Sequence, residues 1–254
     1  MVTDPEGSLV ELLLLSNSTN YGREYLAHAH EEVRDFLSGL DELVFVPYAL
    51  SAHDDYTARV QAAVRPLGVR VRGLHREQDP LAALSSARAV FIGGGNTFRL
   101  LHALQHDGSL QAVREAVRRG ARYMGASAGT NIAAPTIRTT NDMPIVEPAD
   151  FRALGLLPFQ INPHFVDADP AARHMGETRE TRLQEYLEDN DVPVLGLREG
   201  TWLRVTSDGA ATIAGTAVDG SAPGPAVLFR RGRAAAEVSG SVSALLTAGP
   251  VAAV

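Results

Sequence analysis

The sequence contains no cysteine. Disulfide bonds, a Cys-ligated zinc site and a cysteine nucleophile are therefore excluded. Long apolar runs are also missing. Leu12 to Leu15 form a run of four leucines, whereas a membrane-spanning helix needs about 20 apolar residues. Positive charge is scarce, with 23 Lys+Arg against 30 Asp+Glu, a net charge of −7 and a pI near 5.6. That balance disfavours nucleic acid and anionic membrane as partners, while leaving room for a local basic pocket. The N-terminal stretch Met1–Gly7 is acidic and lacks the basic region of a secretory signal. Together with the absence of cysteine, this leads us to expect a cytoplasmic protein.

What is present reads as one α/β domain over all 254 residues, 45% of them apolar and 21% charged. Short apolar runs at 10–15, 43–46, 69–74, 89–92, 122–126 and 194–197 predict strands. Helical patterns lie between them, among them 56–67 and 110–119, the latter with Ser109 as N-cap and Gly120 as its stop. This alternation predicts a mostly parallel sheet with helices on both faces. After residue 200 the runs 202–205, 211–214 and 226–229 are separated by Ser-Asp-Gly and Gly-Ser-Ala-Pro-Gly, and predict antiparallel hairpin strands at one edge. Residues from about 232 to 254, rich in Ala, Ser, Gly and Val, are expected to form a loosely packed tail.

Residues 125–129 read Gly-Ala-Ser-Ala-Gly, a G-x-S-x-G motif at an expected strand-to-helix turn. Such a turn holds the serine hydroxyl out from the sheet edge, beside free N–H groups of the following helix. Ser127 is thus a candidate nucleophile; the competing reading is a tight turn of small residues without chemistry. A serine nucleophile needs a base, an orienter for that base and an oxyanion site.

Eight histidines are available. His28, His30, His102 and His106 fall in helical patterns and read as surface or packing residues. His53 and His75 lie near strand ends. His164, in Phe-Gln-Ile-Asn-Pro-His-Phe, follows an apolar strand where open α/β sheets place their sites, and is the candidate base. Glu199 and Asp142, both in loops beside Gly or Pro, are alternative orienting acids. Three glycines, 93–95, follow the strand at 89–92. The N–H of Gly95, paired with that of Ala128, would form a two-donor oxyanion hole. The glycines lack the spacing of a dinucleotide or nucleotide loop, and no H-E-x-x-H pair occurs, so neither cofactor nor catalytic metal is expected.

Several segments, in order over about residues 10–230, carry a wider resemblance. They are Leu12–Ser18, Gly93–Phe98, Gly125–Asn131, Pro135–Pro144, Gln160–Phe165, Gly176–Glu180 and Gly196–Gly200. Together they resemble the aspartyl dipeptidase (peptidase E) family of serine peptidases. The resemblance implies a fold like that of class I glutamine amidotransferases, with Ser in place of Cys, and hydrolysis of dipeptides with N-terminal aspartate. It implies Ser127 as nucleophile, His164 as base, Gly95 and Ala128 as oxyanion donors, and either Glu199 or Asp142 as acid. Small acidic peptides are then the expected partners. Their side-chain carboxylate calls for a guanidinium, with Arg179 the first candidate and Arg138 the second. Glu177 or Asp142 would accept the free amino group.

Rival readings are a cyanophycinase-like exopeptidase cutting β-Asp-Arg units, an α/β-hydrolase esterase and a noncatalytic binding module. Against the esterase, Asp142 follows Ser127 too soon to sit on a later strand, and no HGGG-type motif precedes the turn.

Overall fold

In strand β1 (Leu12–Leu15) alternate side chains point to opposite faces, and each face meets its own core. Leu12 and Leu14 join one buried cluster, and Leu13 and Leu15 another. All four are fully buried, each stabilising by about 1.5–3 kcal/mol relative to exposure. The computed structural model describes residues 10–168, 173, 176–220 and 222–247.

The following strands are β2 (Glu42–Val46), β3 (Arg70–Gly73), β4 (Ala89–Ile92) and β5 (Arg122–Ala126). With β1 they form one parallel array, in which β5 pairs with β1 and β4, and β2 pairs with β4 and β3. Helices α1 (His30–Phe36) and α2 (His53–Val64) cover one face through Val33, Phe36, Val60 and Val64. Helices α3 (Pro80–Ser86), α4 (Thr97–His106) and α5 (Ser109–Arg118) cover the other, through Leu84, Leu100, Leu104, Val113 and Val117. The expected parallel sheet with helices on both faces is therefore present. Ser109 opens α5, but the cap position belongs to Gly108 at φ 79°, which suits glycine better than serine.

The chain then passes through the single turn α6 (Ala128–Asn131) to β6 (Gln160–Phe165), α7 (Arg179–Asp189) and β7 (Val194–Arg198). The last strands are β8 (Thr201–Val205), β9 (Ala211–Gly215), β10 (Ala226–Phe229), β11 (Ala236–Val238) and β12 (Gly240–Ser241). Two sheets result, an eight-stranded one ordered β12-β9-β8-β1-β5-β4-β2-β3 and a four-stranded one ordered β11-β10-β7-β6. Here the sequence reading needs correction. β8 and β9 do form an antiparallel hairpin at the edge of the large sheet, but β10 leaves them and pairs with β7 and β11 in the small one. Its residues Ala226–Phe229 are buried, which suits an interior strand.

The stretch read as a loose tail packs as far as Thr247. Val242, Leu245 and Leu246 belong to the main core, and Val242 N–H bonds to Ala211 O at 2.8 Å. Residues 248–254 lie outside the described ones. Among the described residues no helix is long and apolar enough to cross a membrane.

Candidate active site

The ends of β5, β6 and β7, with the starts of α4 and α7, line a cleft of about 270 Å³, near the small end of ligand clefts. Ser127, Ala128, Asp142, His164, Arg179 and Glu199 are among its lining residues.

Ser127 sits between β5 and α6 at φ 53° and ψ −109°, a conformation that costs a non-glycine residue about 1–3 kcal/mol. The turn closes only because its neighbours are small. A Cβ on Gly129 would stand 2.0 Å from Ile92 O. The helix that follows is a single turn, so its macrodipole is slight and the local N–H groups matter more.

His164 occupies a bulge in β6. Asn162 to Phe165 spans three steps against the two from Gly196 to Arg198 on β7. The extra residue turns His164 to φ 53° and re-aims its ring. Its Nε2 lies 2.8 Å from Ser127 Oγ, and its Nδ1 lies 2.6 Å from Glu199 Oε1. In the tautomer that satisfies both contacts, Nδ1–H donates to the carboxylate and Nε2 accepts from the hydroxyl. The bond from His164 holds the Glu199 carboxyl below its ordinary value against the effect of burial. The charges of His164, Arg179 and His28 act in the same direction.

Of the two candidate acids, Glu199 touches the imidazole and Asp142 is engaged elsewhere. Asp142 Oδ2 accepts from Thr97 N–H at 2.7 Å, from Thr97 Oγ1 at 2.5 Å and from Thr140 Oγ1 at 3.3 Å. It lines the cleft at the start of α4, where a carboxylate also favours the helix N-terminus.

The glycine loop lies opposite Ser127. Gly93, Gly94 and Asn96 N–H groups donate to Val46 O, Tyr56 Oη and Ala49 O. Gly95, at φ 139°, could not carry a side chain, since a Cβ there would meet Ala49 O at 2.5 Å. Neither Gly95 N–H nor Ala128 N–H has an acceptor among the described residues.

The chain has no lysine, so every strong cation is an arginine. Arg179, at the start of α7, is half-buried in the cleft wall and forms no ion pair among the described residues. Burial and neighbouring Arg182 pull its guanidinium below the ordinary range, while Glu199 and Asp142 pull the other way. Arg138 is elsewhere, exposed and over the Phe151 ring at 5.7 Å. Glu177 is exposed too and pairs with Arg182 at 3.4 Å. Neither Arg138 nor Glu177 lines the cleft.

The motifs assign no role to the residues that hold these groups in place. Three successive residues at the end of β1 each anchor a different one. Leu15 O accepts from Ser127 N–H at 3.1 Å, Ser16 Oγ accepts from His164 N–H at 2.8 Å, and Asn17 Oδ1 accepts from Gly200 N–H at 2.8 Å. A polar pair directly after an apolar strand, at the strand's C-terminal end, was the available signal. His28, read as packing, lies near Glu199, and burial lowers its pKa despite that carboxylate.

An H-x-x-x-H pair, His102 and His106, is present on α4; its exposed rings stack at 6.3 Å, and His102 Nδ1 lies 3.0 Å from Glu147 O. No group of three or more His, Asp or Glu able to hold a metal occurs among the described residues.

A half-buried hydroxyl, imidazole and carboxylate in line, with free amides nearby, is an arrangement that serine hydrolases use. The family comparison narrows that class. Residues 12–213 match the model of peptidase family S51, and the chain belongs to this family, with its glutamine amidotransferase-like fold. Peptidase E of Streptomyces coelicolor is 60% identical over 230 residues, covering 91% of this chain and 91% of that protein. A Drosophila melanogaster protein described as a "probable alpha-aspartyl dipeptidase" is 50% identical over 202 residues, covering 78% and 84% of the two chains. The crystal structure of a peptidase from an acI-B1 actinobacterium superposes with a TM-score of 0.65 at 15% identity, over 92% of this chain and 97% of that one. At that identity the likeness bears on the fold alone.

Proposed function

We propose that this member of peptidase family S51 is a serine exopeptidase that hydrolyses dipeptides with N-terminal aspartate. The observation that carries the proposal is the unbroken line from Ser127 Oγ through His164 to Glu199, with Arg179, which forms no ion pair among the described residues, in the wall of the same cleft. The names of the relatives, peptidase E and alpha-aspartyl dipeptidase, agree with it.

In this reading Ser127 Oγ attacks the peptide carbonyl carbon and passes its proton to His164 Nε2. The oxyanion lies between the N–H groups of Gly95 and Ala128, where a donor of this kind is worth about 3–4 kcal/mol. The C–N bond then breaks, and His164 returns the proton to the leaving amine. Water attacks the resulting aspartyl ester, giving a proton to His164, which hands it to the departing Ser127 oxygen. Glu199 holds the imidazole in the required tautomer and stabilises the imidazolium. Arg179 pairs with the aspartyl side chain. Asp142, whose Oδ1 is not used by Thr97 or Thr140, accepts the free α-ammonium group.

A panel of Asp-Xaa, Glu-Xaa, Asn-Xaa, N-blocked Asp-Xaa and β-Asp-Arg peptides, run on wild type and Ser127→Ala, tests this. The expected result is cleavage of Asp-Xaa well ahead of every other peptide, lost by about 10³-fold or more in the variant. Preference for β-Asp-Arg would favour the cyanophycinase-like alternative. A Ser127 inert to an active-site phosphonate, with no cleavage of any peptide, would favour a noncatalytic binding module.

A further inference from the structure

One buried side chain takes no part in the chemistry proposed above yet adjoins it on both sides. Arg198 ends β7 directly before Glu199, and across the sheet it pairs with Phe165, directly after His164. Its side chain is only 3% exposed.

An arginine has five N–H donors, and here all five are used. Nε donates to Asp167 Oδ2 at 2.7 Å and Nη2 to Asp167 Oδ1 at 2.6 Å. Nη1 donates to Glu237 Oε2 at 2.8 Å and Nη2 to Glu237 Oε1 at 2.7 Å. The remaining Nη1 donor reaches Gly224 O at 2.8 Å. The guanidinium also faces the Phe165 ring at 5.8 Å. Two bidentate forks thus join the chain leaving β6, the end of β7 and the strand β11. Forks of this kind fix direction as well as distance.

We propose that Arg198, clamped by Asp167 and Glu237, is a positioning residue that sets the separation of His164 and Glu199. The bulge at His164 has no ladder partner of its own, since register is lost between Asn162 and Phe165. Regular pairing resumes at Phe165–Arg198, so what holds that pair holds the imidazole against its carboxylate. Glu237 lies beyond the 12–213 stretch matched by the family model. Strand β11 thereby becomes part of the catalytic support. The inference rests on the triad reading above.

The test compares wild type, Arg198→Lys, Asp167→Asn and Glu237→Gln. Three quantities are measured: kcat and KM on Asp-Leu, thermal melting, and the downfield NMR proton of the His164 Nδ1–H bond. Loosening the pair should lower kcat by about ten- to a hundredfold, as small misplacements of catalytic groups do. KM should stay unchanged, and the downfield proton should shift or broaden. An unchanged kcat and an unchanged proton resonance, even with a lower melting temperature, would overturn the proposal and leave the cluster a strut. If Arg198→Lys does not fold, the two milder variants decide. If wild type fails to cleave Asp-Leu, the functional reading fails on its own, and the proton resonance still tests the positioning.

Discussion

Ser127 and His164, whose side chains meet at 2.8 Å, are both held at a backbone φ of 53°. Leu26 is the only other non-glycine residue with positive φ among the described residues. Strain of this kind persists where surrounding bonds over-determine it. Here Leu15 O holds the Ser127 amide and Ser16 Oγ holds the His164 amide, so one strand end enforces both distortions.

Ser16→Ala should therefore harm more than its size suggests. Ser16 is fully buried, and its hydroxyl both accepts from His164 N–H and donates to Leu197 O at 2.9 Å. Removing it leaves a buried donor and a buried acceptor without their partner, each costing about 1–3 kcal/mol. Urea unfolding should show a loss of that order, and kcat on Asp-Leu should fall as the bulge relaxes. A variant with wild-type stability and wild-type kcat would mean that the strain is held elsewhere.

Glu199→Gln and Asp142→Asn separate the two acids. Glu199 is bonded to His164 Nδ1, so its amide should disturb the tautomer and cut kcat by up to about 10⁴-fold, as the equivalent change does in other triads. Asp142 meets Thr97 and Thr140 instead, so its amide should act mainly through KM for peptides with a free amino group. Steady-state kinetics on free and N-blocked Asp-Leu checks both. The reverse pattern, with kcat lost in Asp142→Asn and kept in Glu199→Gln, would exchange the roles.

Much of this was legible in the chain because it is local. A serine between small residues after an apolar run can only be a tight turn, and runs such as Leu12–Leu15 and Ala89–Ile92 suit only strands covered on both faces. What escaped is set by long-range pairing. Nothing near Ala226–Phe229 says that it pairs with β7 rather than β8, since both strands are short and apolar. Glu199 and Asp142 were equivalent as loop carboxylates. Only the assembled sheet, which carries β7 beside β6, brings one of them to the imidazole. Arg138 and Arg179 were separable only by which one the start of α7 directs into the cleft.

The Glu199 carboxyl is held below its ordinary value chiefly by its bond to His164. A carboxyl whose folded-state pKa is depressed adds stability above its unfolded-state value, near 4.3, and that stability is lost as the pH falls through the lower folded-state value. Melting temperature should thus drop below about pH 4.3 in wild type, and the drop should be smaller in Glu199→Gln, which has no proton to take up. Parallel melting curves for the two proteins from pH 7 to pH 3 would show that the bond contributes nothing to acid stability.

Arg179→Met is the sharpest test of specificity, because its effect should depend on the substrate. A half-buried guanidinium without an ionic partner among the described residues sits in a cleft that also holds two carboxylates. Asp142 and Glu199 would repel an acidic side chain unless a cation intervened, so the proposed recognition of aspartate assigns that part to Arg179. Methionine keeps the length and apolar stem of the side chain and removes the charge. The loss in kcat/KM should then be large for Asp-Leu, on the order of 10²-fold for a charge-assisted pair of about 3 kcal/mol, and small for Asn-Leu, which has no side-chain carboxylate to pair. Equal losses on the two peptides would mean that Arg179 supports the cleft wall without reading the substrate. The proposed aspartate preference would then need another source, such as the backbone N–H groups and the hydroxyls of Thr97 and Thr140 in the same cleft.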